Sequence, residues 1–173
     1  IEHGGVKKPY TILDVGCGPG RDLAYFISLG HEAIGLDASP VFVEHARKLT
    51  GCKVLQQNFI NMDLPDCTFH GVFANASLFH IPSGNLPNAL KQLAAALKSG
   101  GILFSSNPRG DNQEGWQGDR YCVFHNYSAW ANFMNQAGFV EINHYYRPQG
   151  LPCEQQPWLS SVWRKVMLNI VEG

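Results

Sequence analysis

Apolar positions fall into short runs and helical stripes that alternate along the chain. Ile12, Leu13 and Val15 form a run with a β-branched bias, the composition of a strand buried on both faces. It ends in Gly16-Cys17-Gly18-Pro19-Gly20. Leu23, Phe26 and Ile27 follow at the i, i+3, i+4 spacing of a helix, closed by Gly30. His31 to Asp37 reads as a second strand. Ser39 and Pro40 supply the N-cap and first position of a second helix, with Val41, Phe42, Ala46 and Leu49 as its expected apolar face and Gly51 as its end. Lys53 to Gln57 is a short third strand, Asn61 to Thr68 a turn-rich connection, and His70 to Ala76 a fourth strand.

Leu86, Leu90, Leu93, Ala94 and Leu97 predict a helix over 85–98, stopped by Ser99-Gly100-Gly101, and Ile102 to Ser106 a fifth strand. The rhythm then breaks. Residues 108–126 are polar and carry Trp116, Tyr121 and Phe124, which predicts a long substrate or lid loop. Ser128 is the expected cap of a helix with Trp130, Phe133, Met134 and Ala137 inward. Phe139 to Arg147 alternates as a strand, Pro148 to Pro157 is irregular, and Trp158 to Val166 is a last strand, antiparallel because only a loop joins it to the one before. The pattern is α/β, a three-layer doubly wound sheet of seven mostly parallel strands in one domain over 1–173.

The bulk numbers add exclusions. At 173 residues one domain buries enough core to need no staples. The net charge of −1, with scattered Lys and Arg, gives no nucleic-acid stripe. Five cysteines without a C-x-x-C pair argue against a disulfide framework or zinc site and point to a reducing, cytoplasmic setting. No apolar run approaches about 18 residues, so no membrane partner is expected. No metal signature occurs. The oligomeric state is not readable.

Strand, glycine loop and helix together form the start of a nucleotide-binding half. A dinucleotide fingerprint needs a third glycine where Arg21 stands. That disfavours pyrophosphate and suits a ligand with a carboxylate, met by Arg21 or by the helix end, unless Arg21 simply pairs on the surface. Cys17 reads as a small packing residue. Ligands of such sheets bind beyond the C-terminal strand ends. There stand Asp14, Asp37 with a carboxylate for ribose hydroxyls, Asn58-Phe59 for a purine edge and face, Asn75, Leu78, Phe79 and His80, then Asn107-Pro108-Arg109.

Ile12 to Gly20 resembles motif I of the class I S-adenosylmethionine-dependent methyltransferases. Gly35 to Ser39 resembles their second-strand motif, and Leu97 to Leu103 their helix-to-strand-five motif. The resemblance spans about residues 11–107 in motifs and the rest in topology. It implies an S-adenosylmethionine-dependent enzyme that yields S-adenosylhomocysteine. Its cofactor residues would be Asp14, Gly16, Cys17, Gly18, Gly20, Arg21, Asp37, Ala38, Asn58, Phe59, Asn75 and Leu78. Asn58 stands where the family often has an acid. The family also usually carries helices before strand one; only Ile1 to Tyr10 precede it here, so absent N-terminal capping helices and weak cofactor affinity are expected.

Methyl transfer from a sulfonium is an in-line displacement that chiefly needs alignment. His80, Tyr121 and Arg109 are the catalytic candidates. His80 is a base or substrate positioner, or else a packing residue bonded to backbone. Tyr121, Arg109 and His125 build an acceptor pocket, or else a lid surface; Arg147 and Glu154 are weaker candidates of the same kind. Asn75-Ala76-Ser77-Leu78 lacks the Asn/Asp-Pro-Pro-aromatic tetrad of enzymes that methylate planar nitrogens, which disfavours DNA adenine and glutamine. A small-molecule acceptor fits best. The alternatives are a tRNA acceptor, a non-catalytic cofactor-binding module and, more distantly, a dinucleotide-binding domain.

Overall fold

The computed structural model describes residues 9–166. Its elements are β1 (Thr11–Val15), α1 (Arg21–Ser28), β2 (Glu32–Asp37), α2 (Pro40–Thr50), β3 (Val54–Gln56), β4 (Phe69–Asn75), α3 (Leu86–Ala96), β5 (Leu97–Pro108), β6 (Gln113–Gln117), β7 (Arg120–Phe124), α4 (Tyr127–Gln136), β8 (Phe139–Arg147) and β9 (Trp158–Lys165). Seven strands pair in the order β3-β2-β1-β4-β5-β9-β8, and only β9 runs against its neighbours. This is the expected doubly wound α/β sheet with its reversed last strand. The strand order turns back between β1 and β4, which opens a crevice beyond their C-terminal ends. The expectation about helices before β1 falls on residues 1–8, outside the described residues.

Two cores flank the sheet. The larger packs Leu86, Leu90 and Leu93 of α3 and Trp130 and Met134 of α4 against one face. The smaller packs Leu23, Val43, Ala46 and Cys17 on the other. The expected apolar face of α2 is corrected. Val43 and Ala46 are buried, whereas Val41 and Leu49 are 58% and 60% exposed. The reason is close packing: a Cβ on Gly20 would lie 3.0 Å from Ala46, so the small side chains of α2, not its larger ones, face inward.

Three other expectations change. The segment 108–126 is not a loop, because β6 and β7 form a hairpin turned at Gly118 and Asp119, with Trp116 opposite Tyr121. Its side chains are mostly exposed and polar, so no apolar period announced it; only Cys122 and Val123 of its strands are buried. The cap of α4 is Asn126, whose side chain accepts from the Ala129 N–H at 2.9 Å, in place of Ser128. Strand β5 starts at Leu97, and Gly100-Gly101 sits within it, where the register against β4 shifts.

A buried polar knot fastens α4 to the sheet. Ser161 Oγ accepts from Trp130 Nε1 at 3.1 Å and Trp163 Nε1 at 2.8 Å. With both lone pairs used, its own proton goes to Ser105 Oγ, 3.0 Å away. Among the described residues no helix is long and apolar enough to cross a membrane, and no cluster of metal-ligating side chains occurs.

Candidate functional site

The loop after β1 carries three left-handed glycines, Gly16, Gly18 and Gly20, at φ 75°, 51° and 93°. Each has its own reason. A Cβ on Gly16 would strike the Ser77 Cβ and come within 3.3 Å of the Phe59 ring. Gly20 admits α2. Gly18 has open space where its Cβ would be, and that space is a cleft. The Gly16 and Cys17 N–H groups both donate to the Leu36 carbonyl, at 2.7 and 3.1 Å, which pins the loop to β2.

Asp37 ends β2 and is 9% exposed. Its Oδ2 accepts from the Gly18 N–H and its Oδ1 from the Ser39 N–H, each at 2.9 Å. The carboxylate is thereby fixed in direction, while each oxygen keeps acceptor capacity for another donor. The cleft it borders measures about 650 Å³ and is lined by Gly16, Gly18, Asp37, Ala38, Ser39, Phe42, Asn58, Phe59, Ala76, Ser77, His80, Arg120 and Tyr121. Asn58 Oδ1 accepts from the Ile60 N–H at 3.0 Å, which fixes the direction of the amide and leaves its second lone pair and its N–H₂ for a ligand. Ser77 Oγ is buried without a partner.

The structure thus brings together Gly16, Gly18, Asp37, Ala38, Asn58, Phe59, His80 and Tyr121 from the expected set. Others stand apart. Asp14 is buried in β1 behind the loop; burial first, then Asp22 and Asp37, raises its pKa to about 8, and its Oδ2 has no partner. Cys17 packs in the smaller core, and burial pushes its thiol up to about 12, which suits the packing reading. Gly20 serves helix packing. Arg21 is exposed at the start of α1, and Leu78 is buried in the larger core. Asn75 lies on β4, one residue short of the lining.

Arg109 is corrected most clearly. Its Nε donates to the Gln156 carbonyl at 2.8 Å, its Nη2 donates to the Cys153 carbonyl, and the guanidinium lies 4.4 Å from the Tyr146 ring centre. It ties down the segment before β9, away from the cleft. His125 is buried beside Trp130 and Phe133 with both ring nitrogens unpartnered, and burial lowers its pKa. Arg147 donates to Ser106 Oγ. Glu154 borders a separate surface hollow with Arg109.

Sequence reasoning missed Ser39, Phe42, Ala76, Ser77 and Arg120. The first two flank Asp37 and the next two follow Asn75, so the motifs already pointed beside them. Arg120 had no local signal, because it reaches the cleft only through the hairpin. A second hollow, about 440 Å³ and lined by Tyr10, His70 and Lys98, lies at the opposite strand ends, away from the glycine loop.

Comparisons with known proteins agree with this geometry. A family model described as a methyltransferase domain matches residues 12–101. A probable methyltransferase of Aspergillus luteorubrus is 33% identical over 113 residues, covering 57% of this chain and 40% of that protein. The sterol 24-C-methyltransferase of Eremothecium gossypii is 33% identical over 109 residues, 57% of this chain and 28% of its own length. The trans-aconitate 2-methyltransferase of Methylobacterium nodulans is 34% identical over 112 residues, covering 63% and 42%. The chain therefore spans less than half the length of these relatives. Among solved structures, the 1,6-didemethyltoxoflavin-N1-methyltransferase of Burkholderia thailandensis, with bound 1,6-didemethyltoxoflavin and S-adenosylhomocysteine, has a TM-score of 0.77 at 22% identity, covering 92% of this chain and 72% of that one. A methyltransferase of Methanosarcina mazei reaches 0.81 at 13% identity, covering 94% and 95%. With more than half of its length matched by the family model, and its fold shared with these structures, the chain belongs to the class I S-adenosylmethionine-dependent methyltransferase family.

Proposed function

We propose that the cleft binds S-adenosylmethionine and that the chain transfers its methyl group to a small-molecule acceptor by in-line displacement. When bound, this cofactor supplies a methyl group on a cationic sulfur that leaves as a neutral thioether. The residues fit the group. The observation that carries the reading is the Asp37 carboxylate, held by the Gly18 and Ser39 N–H groups and still able to accept two ribose hydroxyls. Gly18 leaves room for close approach, and Asn58 and Phe59 offer an amide edge and a ring face to adenine. Ser77 Oγ, buried and unpartnered in the cleft lining, suits the polar amino-acid end, while Asp14 Oδ2, also unpartnered, lies behind the glycine loop and acts on that end only through space.

What these residues do is bind and align. Well-oriented intramolecular reactions gain about 7–11 kcal/mol from positioning. His80 and Tyr121 stand at the acceptor end of the proposed arrangement. Arg120 takes the cationic role first expected of Arg109 and Arg21, facing either the cofactor carboxylate or an anionic acceptor. A small acceptor is supported by the roofing of the cleft by β7, and by relatives named for sterol and trans-aconitate methylation. The five cysteines are all free, which supports a reducing, cytoplasmic setting.

The test is calorimetric titration with S-adenosylhomocysteine, followed by labelled-methyl transfer to fractionated extract. Binding that falls about 10- to 100-fold in Asp37→Asn, with label in a small-molecule fraction, is expected; hydrogen bonds to charged groups carry roughly 1.5–3 kcal/mol. Label in a tRNA fraction favours the nucleic-acid alternative, and binding without any transfer favours a non-catalytic module.

A further inference from the structure

The β6–β7 hairpin is tied to the turn after β4 at two points. The Ser83 N–H donates to Glu114 Oε2 at 2.9 Å, and the His80 ring meets the Tyr121 carbonyl through Nδ1 at 2.9 Å. The second contact decides the chemistry of the ring. A backbone carbonyl has no proton to give, so Nδ1 carries one. In the neutral imidazole, Nε2 is then an acceptor with a free lone pair. The Cys122 Sγ, 3.7 Å from Nδ1, is a weak acceptor beside the stronger carbonyl and leaves that proton in place. Nε2 has no hydrogen-bond partner among the described residues and is not sealed from solvent, and the ring lines the cleft. Phe79 packs against the ring with centres 4.0 Å apart. The contact fixes the tautomer of the neutral ring, with Nε2 as the nitrogen that accepts a proton.

We propose that the acceptor carries an ionisable O–H or N–H, that His80 Nε2 takes this proton during transfer, and that the Tyr121 carbonyl is the lock that keeps Nε2 free. The inference rests on the methyl-transfer reading above. The electron pair of the breaking X–H bond stays on X and forms the bond to the methyl carbon. The methyl–sulfur pair leaves with sulfur, and the proton passes to Nε2. The resulting imidazolium still donates from Nδ1 to the Tyr121 carbonyl, so the hairpin need not rearrange between the two states. Of the ionisable groups, the Cys122 thiol of β7 touches the ring, Arg120 and Tyr121 of β7 and Asp37 of β2 line the same cleft, and Glu114 of β6 is held at the Ser83 N–H. Arg120 stabilises the anionic character that develops on X as the proton leaves. A thioether or tertiary amine acceptor has no such proton and leaves Nε2 without a task.

Two measurements on the full chain test this. The first is nitrogen NMR of histidine-labelled protein with S-adenosylhomocysteine bound, with the His80 signal identified by its loss in His80→Gln. The Nδ1–H form is expected, and an Nε2–H form overturns the lock. The second is labelled-methyl transfer to a panel of phenols of graded acidity, with thioethers and tertiary amines as proton-free members. Transfer to the protic members is expected. In His80→Gln, kcat should fall about 10²–10⁴-fold for phenols un-ionised at the assay pH and change little for those already ionised. A packing role for His80 would lower both alike. A uniform loss, transfer confined to the proton-free members, or no methylation of any protic member overturns the proposal. Failure of S-adenosylhomocysteine to bind in calorimetry of the same sample instead refutes the methyltransferase reading beneath it.

Discussion

Replacing Gly16 by alanine separates what the glycine loop does for folding from what it does for binding. Position 16 sits at φ 75°, where an L side chain costs roughly 1–2 kcal/mol. The added methyl would also fall inside the Ser77 Cβ and press on Phe59, 3.3 Å away. Ser77 is 3% exposed on a tight turn after β4, and its Cβ is rigid backbone-attached carbon that has no rotamer to escape into. Overpacking of this kind costs about 1–3 kcal/mol. The expected total is roughly 2–5 kcal/mol, and about 2–4 °C per kcal/mol for a chain of this size puts the drop in Tm near 4–20 °C. Gly18→Ala is the contrast. It also has positive φ, at 51°, but its methyl meets nothing, and the residue lines the cleft. It should lose only the backbone part of the stability, yet lose more S-adenosylhomocysteine affinity than stability. Thermal melts and calorimetric titrations of both variants are the assay. A second substitution sharpens it: Ser77→Gly in the Gly16→Ala background should recover the overpacking share and leave the backbone share. Strict additivity of the two changes, or a Gly16→Ala melt within about 1 °C of the parent, would refute the reasoning.

Ser161→Ala should cost roughly 2–6 kcal/mol in chemical denaturation, because it strands two buried indole N–H donors at about 1–3 kcal/mol each; a loss below that of one donor would mean that water enters the knot. Asp14 has a folded pKa of about 8 against 3.8 unfolded, so its contribution to stability is present below pH 3.8 and is lost as pH rises through about 8. Asp14→Asn should therefore melt higher than the parent at pH 9, and binding of a cationic cofactor near pH 7 should release a proton. Calorimetry in two buffers of different ionisation heat measures that release, and equal heats in both would disprove it. Burial holds His125 below its ordinary 6.5, so stability is present above that value and declines as pH falls through it. Melts from pH 8 to pH 5 should show an acid limb that His125→Phe reduces; an identical limb in both proteins would assign the loss to other groups.

The sequence by itself determined the sheet and the glycine-loop end of the cleft. Buried parallel strands read as short apolar runs, and Gly16, Gly18, Pro40 and Gly51 mark backbone geometries that few other residues adopt. Asp37 was legible because its position at the end of β2, beside the glycine loop, follows from the order of local elements. The tertiary structure decided what local pattern could not encode. Which face of α2 is inward depends on how closely Ala46 approaches Gly20. Whether Leu78 or Ser77 meets the cleft depends on the turn at Ala76, which has φ 58°. Arg109 and Arg120 carry the same charge, yet one is spent on carbonyls before β9 while the other is delivered to the cleft by a hairpin whose exposed strands leave no apolar trace. The free nitrogen of His80 likewise depends on a carbonyl far along the chain. Local signals report the conformation a residue needs; contacts between distant segments set which of its atoms remain available.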